Sequence, residues 1–483
     1  MQKLFIKLTS RFRTILSLAL VATFALAVTS CDEDDDPIAT LPTDNIVVIA
    51  QGNSDLSVLV EALVKFPDLV DVLSADGENT VFAPTNAAFT ALLGVIGQTS
   101  LNDIPEPVLR RVLEYHVIAG ASIKSTDLAD GQKAATVLGD EITVGVSTDG
   151  VTINSAKVVT ADVETSNGIV HIVDAVLVPA LELSIVNTVV EPAYFNKNFT
   201  TLTDAVVKAG LLNTLINPSA NFTVFAPTND AFTAAGITTL PSAADLTPIL
   251  QYHVLNSEVK AADLPATGSA VPTLNGDFYL SKNTSGVFIN GLTEVTATDI
   301  DQSNGVVHVI DRTLLPASQN VVDIAVAAST ATSAEFGQLV AALTAVENDG
   351  STPALITALS AADGSFTVFA PTDAAFSALY TLAGVADFNE LVNAIGIGTV
   401  ATVLQYHVLG DRVFSTDIPN ALNGNPSVSL TPLAGGNFTL NSNLTITDAD
   451  AALTLGTTDA GIVDTDILGT NGVIHVINQV ILP

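Results

Sequence analysis

The chain has 483 residues and a formal net charge of −34, from 50 acidic and 16 basic side chains. A surface this negative repels phosphate backbones and anionic lipid head groups, which argues against DNA, RNA and electrostatic membrane docking. Apolar residues make up 48% and charged residues 14%, so the chain can bury several hydrophobic cores and disorder along its whole length is disfavoured.

The first thirty residues have the pattern of an export signal. A basic stretch that ends at Arg13 precedes the apolar run 15–28, which is too short for an ordinary membrane span. Small residues then lead to Cys31, the single cysteine of the chain, in a pattern that resembles a bacterial lipobox. We therefore expect a signal peptide at 1–30 and lipidation of Cys31, whose several acyl chains would hold the protein stably on a membrane.

An acidic run at 32–36 follows the cysteine and leads into a stretch with Pro37 and Pro42. Such a run stays solvated, so residues 31–44 are expected to form a tether. The run also resembles the acidic export signal of Bacteroidetes surface lipoproteins. That resemblance implies an outer-membrane lipoprotein exposed at the cell surface, and an anchor that faces the periplasm is the alternative.

Three motifs recur in the same order along the rest of the chain. They are TVFAPT[ND]xAF at 80–89, 223–232 and 367–376, a Tyr-His motif at 113–117, 250–255 and 404–409, and an NGxxH motif at 167–174, 304–311 and 471–478. Each copy has the size of an independent domain and is too long for a solenoid repeat. We expect three domains, at 45–180, 181–317 and 318–483.

This combination of motifs resembles the fasciclin-like domain over roughly residues 45–483. The resemblance implies an α+β fold for each copy, a β-sandwich or wedge with α-helices packed on one side. In some members the Tyr-His region is implicated in binding to cell-surface receptors. The resemblance therefore implies six candidate partner-binding residues, which are Tyr115, His116, Tyr252, His253, Tyr406 and His407. Local packing and hydrogen bonding of these side chains is the alternative.

The TVFAPT motif predicts a corner where a strand passes into a helix. Pro84 cannot continue a strand ladder, and Thr85 is well placed to cap the helix that follows. Thr228 and Thr372 are the equivalent caps. In the Tyr-His motif, the histidine at the helix C-terminus would interact favourably with the helix dipole when protonated.

The NGxxH motif predicts a turn followed by a central strand that is apolar on both faces. His171, His308 and His475 are expected to be core or half-buried histidines held by a hydrogen bond. Acidic pairs precede each turn, at Asp162 and Glu164, Asp299 and Asp301, and Asp464 and Asp466. These pairs predict either solvent-exposed carboxylates on the segment that leads into the turn or, less simply, a calcium site.

No zinc-protease motif, P-loop or nucleophile elbow is present in the sequence, and each domain has only two histidines. We therefore expect no enzyme activity, no cofactor and no metal. The predicted function is multivalent adhesion to cells, matrix protein or polysaccharide by a protein that meets the membrane only through its lipid. The alternative is a glycan-capture lipoprotein of a nutrient uptake system, although tryptophan is absent and only six tyrosines could serve as aromatic platforms.

Overall fold

The structure, a computed structural model, describes residues 42–264, 268–331, 335–350, 354–448 and 459–483. The expected signal peptide at 1–30, Cys31 and the tether as far as residue 41 lie outside the described residues. Three copies of one α+β fold follow one another along the described chain, which confirms the predicted fold class. We call them domain 1, domain 2 and domain 3 in chain order.

Each domain contributes seven strands to one sheet within the described residues. The strands of domain 1 are β1 (Asn79–Pro84), β2 (Val117–Ala119), β3 (Lys133–Ala135), β4 (Glu141–Ser147), β5 (Gly150–Ile153), β6 (Ala156–Thr165) and β7 (Gly168–Val173). Those of domain 2 are β8 (Phe222–Pro227), β9 (Val254–Leu255), β10 (Ser269–Thr273), β11 (Gly276–Asn283), β12 (Gly286–Ile289), β13 (Thr293–Gln302) and β14 (Gly305–Ile310). Those of domain 3 are β15 (Phe366–Pro371), β16 (Val408–Leu409), β17 (Ser427–Leu430), β18 (Phe438–Asn441), β19 (Thr445–Thr447), β20 (Ala460–Gly469) and β21 (Gly472–Ile477).

The helices lie mainly in the first half of each domain, before and after the strand with the TVFAPT motif. Domain 1 has α1 (Ile46–Gly52), α2 (Ser57–Leu63), α3 (Pro67–Ser74), α4 (Asn86–Val95) and α5 (Glu106–Glu114). The next helices are α6 (Ala180–Ile185), α7 (Glu191–Tyr194), α8 (Thr200–Lys208), α9 (Leu212–Leu215), α10 (Asn229–Ala234) and α11 (Ala243–Gln251). Domain 3 has α12 (Val321–Ser329), α13 (Gly337–Asp349), α14 (Leu355–Leu359), α15 (Asp373–Ala383), α16 (Phe388–Ile395), α17 (Ile397–Tyr406) and α18 (Ile418–Leu422).

The strand order of domain 1 is β2-β1-β7-β6-β5-β4-β3, and the other two domains repeat it. β1 and β7 run parallel, with Phe82 opposite His171, and their other neighbours in the sheet run antiparallel. All six residues of β1 are buried, and so are five of the six residues of β7. Burial on both faces explains why these two strands have almost continuous apolar sequences.

The sheet curls into a wedge with an apolar interior. In domain 1 the N–H of Val137, which follows β3, donates to the carbonyl of Val117 in β2 at 2.8 Å, so the two edges of the sheet meet. Equivalent bonds join Leu274 to Val254 and Leu433 to Val408. Phe82, Ile142 and Ile153 fill the interior of domain 1. The helices pack a second apolar core against the outside of the central strands.

The predicted strand-to-helix corner is present in all three domains. The hydroxyl of Thr85 accepts the N–H of Ala88 at 3.2 Å, and α4 begins at the next residue, Asn86. Thr228 and Thr372 cap α10 and α15 in the same way. The cap satisfies an N–H group that would otherwise have no partner in the first turn of the helix.

The asparagine of the NGxxH motif joins three segments of each domain. In domain 1 the side-chain oxygen of Asn167 accepts the N–H of Ile46 at 3.0 Å, where α1 begins. Its amide donates to the carbonyls of Leu73 and Ala75, at 2.8 and 2.9 Å, where α3 ends. Asn304 and Asn471 make the same three kinds of bond. This buried amide fixes the helical layer to the β6–β7 turn.

The glycine of the motif is required because two backbones approach closely. Gly168 has φ 153°, and a Cβ atom there would lie 2.1 Å from the carbonyl oxygen of Asn79 in β1. Gly305 has φ 141° and meets Phe222 in the same manner. A larger residue would push the central parallel strands apart at the end where their pairing begins.

No helix among the described residues is by itself long and apolar enough to cross a membrane. One sharply bent pair, Ile46–Gly52 with Ser54–Leu63, meets the criteria of length and composition only when its two helices are combined.

Replacing Asn167 by alanine is expected to destabilise domain 1 by about 2–4 kcal/mol, because a buried N–H and two carbonyl groups lose their partner. Urea denaturation measures the loss, and hydrogen exchange of the peptide that contains β1 assigns it to domain 1. Asn213→Ala, at an exposed position of α9, is the matched control. A loss below about 0.5 kcal/mol for Asn167→Ala would show that the amide is dispensable.

Candidate functional site

The Tyr-His motif lies where the helix before β2 ends. α5 ends at Glu114 and β2 begins at Val117, so Tyr115 and His116 form the connection between them. All six side chains of the motif are buried, with exposed fractions between 0% and 4%: Tyr115, His116, Tyr252, His253, Tyr406 and His407. A partner cannot reach side chains at this depth, so burial argues against the direct contact that we expected of them.

Both ring nitrogens of each motif histidine are occupied by backbone groups. The Nδ1–H of His116 donates to the carbonyl of Val112 at 2.6 Å, and its Nε2 accepts the N–H of Leu177 at 2.8 Å. Because a backbone N–H can only donate, Nε2 carries no proton and the ring is the neutral Nδ1–H tautomer. His253 binds Ile249 and Leu314 in this way, and His407 binds Val403 and Ile481.

Burial lowers the pKa of His116, His253 and His407 to about 4. The sequence suggested a protonated histidine that interacts with the dipole of the helix. In the structure the ring is neutral, and its N–H binds a carbonyl of the last turn, which has no partner within the helix. The histidine therefore joins the end of the helix to the segment that follows the central strand β7.

The tyrosine of the motif reaches into the interior of the sheet. The hydroxyl of Tyr115 donates to the carbonyl of Glu141 at 2.9 Å and accepts the side-chain amide of Asn154 at 3.1 Å. Tyr252 binds Asp277 and Asn290 in the same way, and Tyr406 donates to Asn437. Burial raises the pKa of Tyr252 to about 12. These phenols are neutral and hold the sheet to the helix.

The histidine of the NGxxH strand has the opposite tautomer. Nδ1 of His171 accepts the N–H of Asp162 at 3.3 Å, and its Nε2–H donates to the carbonyl of Ile123 at 2.9 Å. His308 and His475 make the same pair of bonds, and burial lowers the pKa of both. Each strand histidine is thus a core residue held by two hydrogen bonds.

One loop in each domain is held by several motif residues at once. We call it the post-β2 loop, because it follows β2 in domain 1 and the equivalent strands β9 and β16 in the other domains. It comprises residues 119–125 in domain 1, 256–261 in domain 2 and 410–415 in domain 3. In domain 1 the fully buried hydroxyl of Thr80 donates to Ala121 at 2.7 Å and accepts the N–H of Ile123 at 2.9 Å. Thr223 and Thr367 repeat both bonds. Sequence reasoning missed this role, although the threonine begins every copy of the TVFAPT motif.

An aspartate holds the same loop from the other side. Asp162, Asp299 and Asp466 have positive φ, between 56° and 61°, at a β-bulge in the strand before the NG turn. Their carboxylates accept the N–H of Ser125, Ala261 and Ser415. The second carboxylate of the acidic pair reaches the same loop in domains 1 and 2, where Glu164 pairs with Lys124 and Asp301 pairs with Lys260. Within the described residues, no group of three or more His, Cys, Asp and Glu could hold a metal ion.

The junction between domains 1 and 2 is helical and contains an ion pair between a buried glutamate and a partly exposed arginine. Glu182 of α6 is fully buried, and its Oε1 accepts the Nε–H of Arg111 in α5 at 2.7 Å and the hydroxyl of Tyr194 at 3.3 Å. Val186 and Phe195 pack beside the α4 and α5 side chains of domain 1. The pair therefore links α5 of domain 1 to α6 and α7 at the start of domain 2.

The junction between domains 2 and 3 uses a different surface. The guanidinium of Arg412, in the post-β2 loop of domain 3, lies 4.1 Å from the ring centroid of Tyr279 in β11. Asp417 accepts the hydroxyl of Ser281, and Asn283 donates to the carbonyl of Thr416 at 2.9 Å. Burial lowers the pKa of Arg412 and raises that of Asp417. The post-β2 loop of domain 3 is therefore in contact with the sheet of domain 2.

The histidines generate a prediction about pH. The folded pKa of His116, His253 and His407 lies below the ordinary value of 6.5, so the unfolded chain binds protons more readily. The stabilisation is complete above pH 6.5 and falls as the pH drops toward 4. Urea denaturation between pH 7.5 and 5 should show this loss, at about 1.4 kcal/mol per histidine for each pH unit below 6.5.

The same prediction has a spectroscopic readout. Nitrogen-15 spectra at pH 7 should show the Nδ1–H tautomer for His116, His253 and His407 and the Nε2–H tautomer for His171, His308 and His475. The two sets serve as each other's control. Motif histidines that titrate near pH 6.5 in the folded protein would contradict the assignment.

Comparison with known proteins agrees with the repeated fold. The family model described as the Fasciclin domain matches residues 54–179, 197–316 and 336–483. The chain is 28% identical to transforming growth factor-beta-induced protein ig-h3 of Sus scrofa over 93% of this chain and 59% of that protein. It is 26% identical to human periostin over 93% of this chain and 48% of that protein, so it spans less than two thirds of either relative.

A bacterial relative and a solved structure cover smaller parts. The cell surface glycolipoprotein MPB83 of Mycobacterium bovis is 38% identical over 29% of this chain and 64% of that protein. A domain pair of the insect cell adhesion molecule Fasciclin I is 23% identical over 55% of this chain and 98% of that one, with a TM-score of 0.24, and we draw no conclusion from it. Three segments that match one family model take up most of the chain, and each contains the same fold. The protein belongs to the fasciclin domain family.

Proposed function

We propose that this protein is a lipid-anchored cell-surface adhesion protein that binds cells or matrix, whether protein or polysaccharide, through several domains at once and without catalysis. The observation that carries the proposal is one domain repeated three times, whose motif side chains are engaged in internal hydrogen bonds. Repetition of a weak binding module raises the effective concentration of the later contacts once the first has formed. We place the domain limits at 45–180, 181–317 and 318–483.

The histidines support a role without catalysis. All six use both ring nitrogens in bonds to the backbone, so none has a nitrogen available as a general base or as a metal ligand. Depressed pKa values often mark catalytic groups, but here burial and the structural bonds account for them. The single cysteine, Cys31, is proposed to be lipidated.

The post-β2 loops of domains 1 and 2 are our candidates for the contact surface. Their tips are exposed, at Ala119 and Gly120 in domain 1 and at Asn256 and Ser257 in domain 2. The buried Tyr-His pair and the Thr, His and Asp residues of the motifs hold the loops in one conformation. A loop that is already ordered loses little conformational entropy when it binds. The Tyr-His motif would then act on a partner indirectly, by positioning the loop.

The tyrosines disfavour the alternative, capture of glycans. Five of the six are buried: Tyr115, Tyr194, Tyr252, Tyr380 and Tyr406. Tyr279 is partly buried and has the guanidinium of Arg412 over its ring. Sugar-binding sites usually present exposed aromatic faces, and tryptophan is absent from the chain. A signal on a glycan array that is lost with an exposed aromatic residue would favour the alternative.

Arginine at the exposed loop positions Ser122 and Ser257 is expected to reduce attachment of cells that display the protein. The long charged side chains should prevent close contact at two loops together, and either single variant should lose less because the other loop still binds. Counting attached cells on matrix-coated and cell-coated surfaces measures the effect, with a loss of at least about tenfold for the double variant.

The matched control is arginine at Thr148 and Ser285, which are exposed at hairpin tips of the same two sheets. Surface amounts of all variants must be equal by antibody staining. If the loop variant and the control attach equally well, the loops are not the contact surface. If cells attach equally well with and without the protein, the protein is not an adhesion protein.

The anchor is tested separately through Cys31. We expect wild-type cells to incorporate radiolabelled palmitate into the protein, and Cys31→Ala to abolish the label and release the protein from the membrane. Protease added to intact cells should digest the wild-type protein if it faces outward. Cys31→Ala protein that stays labelled would refute lipidation at this residue, and complete protection would place the anchor on the periplasmic side.

A further inference from the structure

Domain 2 contains an apolar cavity of about 160 Å³ beneath its helices. It lies between α8, α9 and α11 on one side and β8 and β9 on the other. Its buried walls are formed by Leu202, Val206, Phe225, Ala226, Leu250 and Val254. A cavity of this size with such walls favours a ligand without charge.

The mouth of the cavity is also apolar and reaches the surface. Val207 is 54% exposed and Leu274 is 41% exposed, and both belong to the lining. No Asp, Glu, Lys or Arg is among the residues that line the cavity. His253 is in contact with it, but both of its ring nitrogens bind the backbone. Thr203, Thr214 and Gln251 are the other polar residues of the lining, so the part of a ligand that enters would be recognised mainly by shape and by apolar contact.

The same position in domain 3 is nearly filled. Its cavity measures about 30 Å³ and is lined by Leu339, Leu343, Phe369, Leu404 and Val408, which correspond to the walls of the domain 2 cavity. The correspondence follows from a shared hydrogen bond at the start of each helix. The side chain of Asn229 accepts the N–H of Thr201, and that of Asp373 accepts the N–H of Gln338. In domain 1 the side chain of Asn86 accepts the N–H of Val58.

Counting from these residues identifies two positions at which domain 2 differs from the other domains. Five positions further along the helix, domains 1 and 3 have Leu63 and Leu343, whereas domain 2 has Val206. Eight positions further along, domain 1 has the buried Phe66 and domain 3 the buried Val346, whereas domain 2 has Ala209. Domain 2 thus has the smaller side chain at both positions. Val206 lines the cavity directly, and Ala209 lies at the C-terminal end of α8.

We propose that this cavity is a binding site for one uncharged apolar group, either a single aromatic ring or the end of a short alkyl chain. An engineered apolar cavity of about 150 Å³ in another protein binds benzene, so the volume is sufficient for six to eight carbon atoms. The site is independent of the adhesive loops, and it holds one ligand per chain because only domain 2 has both small residues.

The test uses the full-length protein with its leucine and valine methyl groups labelled for NMR. Benzene represents the ring and 1-hexanol the alkyl chain, each titrated separately. We expect one saturable site per chain, with shifts centred on the methyl groups of Leu202, Val206 and Leu250. Saturation by one probe and not the other identifies which form of the apolar group is recognised.

The matched variant gives domain 2 the residues of domain 1, Val206→Leu with Ala209→Phe. It should weaken binding by at least about tenfold and leave adhesion unchanged. The reverse change in domain 3, Leu343→Val with Val346→Ala, should create a second site. Absence of saturable shifts with both probes in the wild type would overturn the proposal. Equal binding by the Val206→Leu, Ala209→Phe variant, if it is correctly folded, would also overturn it. If the Val206→Leu, Ala209→Phe variant does not fold, the wild-type methyl shifts and the domain 3 variant decide the outcome.

Discussion

Parallel pairing of two central strands is the constraint on which each domain depends. In domain 1 this pair is β1 and β7, and Phe82 lies at its middle. The N–H of Phe82 binds the carbonyl of His116 at 3.0 Å, and its ring stacks on that of His171 at 5.6 Å between centroids. A single residue therefore contacts both histidines of the domain. The TVFAPT, Tyr-His and NGxxH motifs recur together because they describe one buried assembly, which a change in any of them would disturb.

The polar groups within this assembly are matched to specific backbone partners. A buried histidine is costly unless both nitrogens are satisfied, and the two histidines of a domain achieve this with opposite tautomers. His116 donates from Nδ1 to a helix carbonyl, whereas His171 donates from Nε2 to the post-β2 loop. Each therefore specifies a different connection between helix, loop and sheet. The result is a surface loop held by hydrogen bonds from buried residues.

Local features of this assembly were predictable from the sequence, and features that depend on tertiary contacts were not. The capping role of Thr85 follows from its position before a helix, because capping involves residues only three apart. The bond between Asn167 and Ile46 spans 121 residues and has no local signal. The bond between Asp162 and Ser125 was not predictable either, because it depends on a β-bulge in β6 that has no signal in the local sequence.

The long insertion in the third copy contains secondary structure that was also not predictable from the sequence. The sequence has extra residues between Ala375 and Gln405, including the NAIGIGTV segment, and insertions normally lie in surface loops. The structure has two helices there, α16 and α17, which meet at Gly396 with φ 82°. One glycine with positive φ thus redirects the chain between two helices, and the apolar faces of both pack into the core of domain 3.

The junctions explain why three similar domains do not present three similar surfaces. Domains 1 and 2 meet through helices around Glu182, whereas domains 2 and 3 meet through strand β11 around Tyr279. A repeated junction would build a regular solenoid that presents the same face each time. Two unlike junctions cover different parts of each domain, so the post-β2 loop is exposed at its tip in domain 2 but contacts a neighbour in domain 3. Multivalent binding by this chain would therefore combine unlike sites, which makes a composite partner surface a better fit than a simple repeating polymer.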